Sequence, residues 1–259
     1  MNKKIKIVII TANEKRHQFF RSKLSRSKYL DLKICFYEND ESRQAYKILN
    51  SRRYNLLKKH FIKRRKSENF FFSDYLKNNN LSKKLVEINR SQINHDLNLY
   101  YQIKNVNPDL IISYGCSLIK GKILKKFKNR MINVHLGLSP YYKGSATNFW
   151  PFVNNELQFL GVTFMVTDKG IDTGKILHQF RPKMVVKDDV HSVGNRMILE
   201  MTNKIIKIIL NYKKIKPIKQ KKFKFEKIFK KKDFNIIALN KLKKNMKLKI
   251  VKKYLMEKK

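Results

Sequence analysis

This sequence predicts an α/β fold: an open, mostly parallel twisted sheet with helices on both faces. Three observations carry that expectation. Short β-branched runs at residues 5–10, 110–113 and 131–134 have the length and composition of strands buried on both faces. Segments with apolar residues at helical spacing lie between such runs, so strands and helices alternate. The first two of these runs end in turn-forming residues, Thr11-Ala12-Asn13 and Tyr114-Gly115-Cys116-Ser117, at the strand ends where an open α/β sheet binds its ligand.

Taken in order, residues 5–10 read as the first strand, and residues 14–27 as a helix with Phe19, Phe20 and Leu24 on one side. A second strand is expected at 32–36. The stretch 37–79 is charged and aromatic, with Arg43, Arg52, Arg53 and the run Lys63-Arg64-Arg65-Lys66; helical segments are expected near 46–61 and 70–77. Such a basic run is usually a solvated helix face, with phosphate contact as the sharper alternative. Order returns at Glu87-Ile88-Asn89, followed by a helix to about Lys104 and a strand at 110–113. Residues 119–127 read as helical, 131–134 as a strand, and 162–166 and 175–181 as two strands flanking a loop. Residues 190–210 form a long helix with Val193, Met197, Met201 and Ile205 in register.

The last segment looks at first like a basic tail, but Phe223, Phe225, Ile228 and Phe229 interrupt its lysines. Leu239, Leu242, Met246, Ile250 and Tyr254 then repeat at helical spacing, a stripe that a disordered polycation would lack. The expected organisation is a catalytic domain over 1–212 and a basic C-terminal helical extension over 213–259, strand-like or looped at first and then a packed helix over 236–255.

Composition narrows the class. The 259 residues suffice for a sizeable core, and no apolar run reaches membrane-spanning length. The apolar stretch near the start is too short for a secretory signal core. Two cysteines, Cys35 and Cys116, make neither a disulfide framework nor a metal spacing. A cytoplasmic protein without a membrane partner is therefore expected. The formal net charge of +41 suits an anionic partner, yet the lysines are spread along the whole chain and do not form one stripe, the pattern of compositional drift. Nucleic acid is accordingly not the expected partner. The sequence carries no signal for oligomeric state.

The candidate chemistry lies in three residues. Asn133 offers amide N–H groups to a developing oxyanion, and His135, two residues on, shares its side of a strand. Asp172, in the loop Thr167-Asp168-Lys169-Gly170-Ile171-Asp172-Thr173-Gly174, is suited to orient an imidazole, fix a water or take a proton from an attacking amine. Each also has an ordinary structural role: an Asn capping a turn, a His in a core, an Asp bracing a loop through Asx-type bonds.

The segment Asn133-Val-His135-Leu-Gly-Leu-Ser139-Pro140, then Tyr141-Tyr-Lys143-Gly144, Gly161-Val-Thr163 and the loop 168–174, resembles the folate-dependent formyltransferases of the glycinamide ribonucleotide, methionyl-tRNA and amino-sugar types. The likeness extends upstream to Pro108-Asp109-Leu110-Ile-Ile-Ser-Tyr-Gly115, covers about residues 107–182 well, and covers the first strand and helix loosely. It implies a Rossmann-like formyltransferase fold, 10-formyltetrahydrofolate as formyl donor, no metal, and catalytic roles for Asn133, His135 and Asp172. It puts the folate against Gly115, Ser117, Leu118 and Ile119 and against Gly170 and Ile171, although Leu118 and Ile119 equally suit packing at a helix start. Asn13, Arg16, Ser139, Lys143 and Gly144 are the expected contacts of the acceptor.

The departures bear on that acceptor. The family's Pro-Ser-Leu-Leu stretch is Leu136-Gly137-Leu138-Ser139 here, so the loop has changed shape. After the first strand the glycinamide ribonucleotide enzymes carry a Gly/Ser/Asn-rich phosphate cradle; this chain has Thr11-Ala-Asn13-Glu-Lys-Arg16-His17, with Glu14 set to repel an anion. The region after Tyr212 is shorter, and more helical at its end, than the barrel-like module of the tRNA-directed relatives. The expected acceptor is a small amine, phosphorylated or nucleotide-linked: an amino sugar or glycinamide ribonucleotide. A 10-formyltetrahydrofolate hydrolase and a non-catalytic basic RNA-binding protein on the same fold are the alternatives.

Overall fold

Strand β1 (Ile5–Thr11) is the middle of the molecule because its side chains are apolar on both faces: Ile7 and Ile9 enter one core, Val8 and Ile10 the other. The computed structural model describes residues 3–39, 48–49, 55–79, 81, 84–224 and 226–257. β2 (Leu30–Asn39) and β4 (Leu110–Tyr114) flank β1 in parallel, and β3 (Leu85–Asn89) and β5 (Met131–His135) extend the parallel array outward. β7 (Val162–Val166) pairs antiparallel with β5, and β8 (Ile176–Phe180) antiparallel with β7. The sheet thus has seven strands in the order β3-β2-β1-β4-β5-β7-β8, with the order reversing between β1 and β4.

Helices cover both faces, as expected. On one lie α1 (Lys15–Ser25), α2 (Leu56–Asn78) and later α6 (Val190–Leu210), contributing Phe19, Phe20, Leu24, Phe61, Phe72, Val193, Met197, Met201 and Ile205. On the other lie α3 (Leu97–Val106) and α4 (Gly121–Lys126), contributing Leu99, Ile103, Ile123 and Leu124. Burying each large apolar side chain is worth roughly 1.5–3 kcal/mol, so the two cores fix which face each helix takes. α6 begins where the sequence predicts, because Asp189 caps it: its Oδ1 accepts from the N–H groups of His191 and Ser192, both at 2.9 Å, and Ser192 Oγ accepts in return from Asp189 N at 3.0 Å.

Two expectations are corrected. The helical segments near 46–61 and 70–77 are, over the described residues, one continuous helix of 23 residues capped by Asn55, whose side chain accepts from Lys58 N at 3.0 Å. Lysine and arginine are good helix formers, so the basic run continues the helix through its middle. The expected early part at 46–47 and 50–54 lies outside the described residues. The single C-terminal helix is two, α7 (Ile236–Lys247) and α8 (Ile250–Glu257), separated at Lys249 by a left-handed φ of 54°. No glycine marks this break, so the helical spacing runs across it unnoticed. α7 buries Leu239 and Leu242, and α8 buries Ile250 and Val251.

Between β5 and β7 lie the short strand β6 (Tyr142–Gly144) and the one-turn helix α5 (Trp150–Val153). β6 pairs in parallel with β9 (Lys227–Phe229), which comes from the C-terminal extension, to form a separate two-stranded sheet. Among the described residues no helix is long and apolar enough to cross a membrane.

Candidate active site

Asn133 and His135 sit two residues apart on β5, so the pleat turns both side chains to the same face. The antiparallel strand β7 ends beside them, and the loop 167–175 folds back over that face: Thr167 N donates to Met131 O and Val166 N to Lys175 O, each at 2.9 Å. The return is tight. A Cβ on Gly174 would lie 1.7 Å from Val166 O, so only glycine fits. Asp168 braces the loop by accepting from Gly170 N at 3.1 Å and Thr173 Oγ1 at 2.8 Å. The Asx-type role therefore falls to Asp168, which leaves Asp172 to point inward from a left-handed backbone at φ 52°.

One carboxylate gathers the cluster. Asp172 Oδ1 accepts from Asn133 Nδ2 at 3.0 Å and faces His135 Nδ1 at 3.3 Å, while Oδ2 accepts from Gly144 N at 2.8 Å. His135 Nε2 lies 2.9 Å from Tyr142 O, and a carbonyl only accepts, so this nitrogen carries a hydrogen. The ring thereby bridges the β6 backbone and the Asp172 carboxylate. Gly137 permits this geometry, since a Cβ there would stand 2.3 Å from His135 Nε2. The altered family stretch noted above thus has a local reason.

Asn133, His135, Gly144 and Asp172 line a cavity of about 570 Å³. Gly115, Ser117, Leu118, Ile119, Gly170 and Ile171 line it too. Gly115 adopts φ 66°, and a Cβ on it would meet His17 Nε2 at 2.4 Å. Ser117 is held by Glu38, a buried carboxylate at the end of β2 that accepts from Ser117 N at 2.9 Å, from Ser91 N at 3.0 Å and from Ser117 Oγ. Asn94 fastens the same loop by donating to Leu118 O at 2.9 Å and accepting from Lys120 N at 2.7 Å. Ile119 both lines the cavity and packs in the second core.

The expected acceptor contacts divide. Gly144 and Arg16 line the cavity. Asn13, Ser139 and Lys143 do not. Asn13 Oδ1 accepts from Arg21 Nη2 at 2.8 Å, Ser139 borders a second cavity, and the buried Lys143 pairs with Glu226 at 2.8 Å. Arg16 is already engaged: its guanidinium meets Glu68 at 2.5 Å and Glu14 at 3.3 Å. Burial opposes its charge, but Glu14 and Glu68 outweigh burial and hold it above its ordinary value.

Sequence reasoning missed the opposite wall, built by α2, α6 and the extension: His60, Arg64, Glu68, His191, Asn195, Lys231 and Phe234. The rings of His60 and His191 lie 4.6 Å apart. Burial, then the neighbouring charges of His191, Arg64 and Lys63, pushes His60 down to about 3. Burial likewise takes His191 to about 4 against the opposing pull of Asp189, with Arg64 and Lys63 adding to the fall. Arg64 belongs to the basic run read as solvated, so part of that run faces the cavity. In contrast to the chain as a whole, the cavity is close to balanced in charge: Arg16, Arg64, Arg90 and Lys231 stand against Glu14, Glu38, Glu68, Asp168 and Asp172. Among the described residues no group of three or more His, Cys, Asp or Glu is placed to hold a metal ion.

A doubly wound sheet with an Asn–His–Asp cluster beside a loop-lined cavity at its strand ends is an open α/β fold, and the comparisons show which family of that fold it belongs to. The formyl transferase family profile matches residues 48–209, and the chain belongs to that family. It is 35% identical over 127 residues to a methionyl-tRNA formyltransferase of Thermodesulfovibrio yellowstonii, covering 46% of this chain and 41% of the relative. It is 35% identical over 107 residues to a GDP-perosamine N-formyltransferase of Brucella melitensis, covering 41% of each chain. The chain thus spans about two fifths of the length of these relatives. Among solved structures, the formyltransferase PseJ from Anoxybacillus kamchatkensis shares the fold at a TM-score of 0.53 and 19% identity, covering 92% of this chain and 97% of that one. A phosphoribosylglycinamide formyltransferase from Anaplasma phagocytophilum does so at 0.58 and 15%, covering 88% and 98%.

Proposed function

We propose that this chain transfers a formyl group from 10-formyltetrahydrofolate to the primary amine of a small acceptor. The observation that carries the proposal is the convergence of Asn133, His135 and Asp172 on one carboxylate oxygen at the wall of a cavity of about 570 Å³. That volume suits a ligand of folate size. Family membership supports the reading, and the PseJ structure is described with tetrahydrofolate bound. The loops 115–119 and 170–171 would hold the pterin, one pinned by Glu38 and the other braced by Asp168, and Arg90 at the cavity is suited to a glutamate carboxylate. The donor supplies a formyl carbon bound to nitrogen.

In this reading Asn133 spends one amide hydrogen on Asp172 and turns the other to the formyl oxygen, whose negative charge grows as the amine attacks. His135, fixed between Tyr142 O and Asp172 Oδ1, orients that carboxylate from the same face. The amine nitrogen bonds to the formyl carbon, the bond from that carbon to the folate nitrogen breaks, and the folate nitrogen keeps the electron pair. It also receives the proton that the amine loses. Asp172, with one oxygen toward His135 and Asn133, would carry that proton.

The acceptor would lie against the far wall, where Phe234, Phe149 and His60 offer ring faces and Arg64, Lys231 and Asn195 offer donors. A nucleotide-linked amino sugar suits that mixture, as does the description of PseJ with a UDP-linked formamido sugar. Glycinamide ribonucleotide suits it less, because the cation at the start of α1 is taken up by two glutamates. We place the reaction in the cytoplasm; both cysteines are free thiols, as a reducing compartment requires.

The test is calorimetric titration with a non-transferable 10-formyltetrahydrofolate analogue at moderate salt, then transfer assays with candidate amines. One-site binding and formyl loss that requires an amine support the proposal. Formyl loss without an amine would make the chain a hydrolase. Failure to bind folate, with RNA binding that falls steeply as salt rises, would replace the proposal with an RNA-binding role.

A further inference from the structure

We infer that the C-terminal extension positions the site, through Gln220 and strand β9, although both lie outside the matched stretch 48–209. The inference rests on the proposed function only in taking His135 and Asp172 as catalytic. Backbone groups of successive strand residues point alternately to the two sides of a strand, and β6 uses both sides. Toward β9, Tyr141 O accepts from Lys227 N and Ser145 N donates to Phe229 O, each at 2.8 Å. Toward the cluster, Tyr142 O meets His135 Nε2 at 2.9 Å and Gly144 N donates to Asp172 Oδ2 at 2.8 Å. β9 is therefore what keeps the inward groups of β6 turned to the two side chains.

The contact between the two strands is close and specific. A Cβ on Gly144 would lie 2.2 Å from Phe229 O. The Phe229 ring stacks on Trp150 at 4.1 Å and lies parallel to Tyr142 at 5.7 Å. Lys227 Nζ donates to both oxygens of Glu156, at 2.7 and 2.8 Å, and the Tyr142 hydroxyl donates to the same carboxylate. Independently, Gln220 Nε2 donates to Asp172 O at 2.9 Å and to Gly174 O at 2.8 Å. It thereby fastens the loop in which Asp172 holds its left-handed backbone, a conformation that persists only when its surroundings fix it.

The experiment uses the full chain with Gln220→Met, Phe229→Ala, Phe229→Tyr and, as a stability control, Ile250→Ala in the remote helix α8. Turnover and folate affinity are measured together with the pH midpoint of the His135 ring by carbon-13 NMR. Gln220→Met and Phe229→Ala are expected to lower kcat by roughly tenfold to a hundredfold with folate affinity within about twofold, and to move the His135 midpoint. Phe229→Tyr should keep both native, and Ile250→Ala should lose thermal stability without moving the midpoint. A native midpoint in both Gln220→Met and Phe229→Ala, or an equal movement in Ile250→Ala, would overturn the inference. If the unaltered chain forms no formylated product, the transfer reading fails, and the His135 midpoint still decides the positioning role.

Discussion

Replacing Gly137 by alanine puts a methyl group where His135 and Tyr142 meet. The added carbon would stand 2.3 Å from His135 Nε2, 2.8 Å from Tyr142 O and 2.8 Å from the Thr147 Cβ. Ordinary contact needs about 3.5 Å, so the imidazole must withdraw by roughly 1.2 Å or the loop must open by as much. Two of the three obstacles leave little room: Tyr142 O is backbone within β6, and the Thr147 hydroxyl is tied to Leu136 O at 2.8 Å. The ring therefore moves, and its bond to Tyr142 O is lost. A displacement near 1 Å in a catalytic group costs on the order of a hundredfold in turnover, or about 2.7 kcal/mol of barrier. Overpacking adds about 1–3 kcal/mol of destabilisation, a fall of roughly 2–10 °C in Tm. The assay pairs steady-state release of tetrahydrofolate with calorimetric folate binding and a melting curve. Turnover within about threefold of the native value would refute the argument that His135 must occupy this position.

Asp172→Asn and His135→Ala should each lower turnover by about two to four orders of magnitude while the melting curve stays cooperative; near-native turnover in either would remove that residue from the mechanism. His60 and His191 are neutral in the folded protein and protonate once unfolded below about 6.5. Their contribution to stability is therefore complete above that pH and is lost as pH falls toward about 4 and then 3. Tm measured across this window should fall less steeply in His191→Gln than in the native chain. Within the basic run, Arg64→Gln should raise the acceptor KM by roughly tenfold, because Arg64 lines the cavity, whereas Lys66→Gln should leave it unchanged. Equal effects would return the whole run to the solvated surface.

What the sequence makes legible is whatever local pattern determines. β1, β5 and α6 announce themselves through β-branched runs and an apolar stripe at helical spacing, and Asn133 and His135 need only the two-residue pleat to share a face. The inward turn of Asp172 follows from glycines that sit beside it in the chain. The far wall is different. Glu68, Arg64 and His60 reach the cavity only because α2 packs on α1 and α6, a docking between residues distant in sequence. Lysine and arginine look alike along this chain wherever they point, so Arg64 at the cavity could not be told from its exposed neighbours. Lys143 reads as an acceptor contact and is instead buried against Glu226, more than eighty residues onward. Asn13 is similarly drawn away by Arg21.

The pairing of β6 with β9 also sets an order in time. A ribosome delivers Asn133, His135, Gly144 and Asp172 well before Lys227, Ile228 and Phe229, so for part of its synthesis the chain holds every member of the cluster but lacks the strand that steadies it. During that interval β6 presents an open edge, with Tyr141 O and Ser145 N exposed to any other strand that passes. Joining β9 to β6 closes a loop of more than eighty residues, an entropic cost that the local helices do not carry, so this pairing is expected to follow formation of the cores.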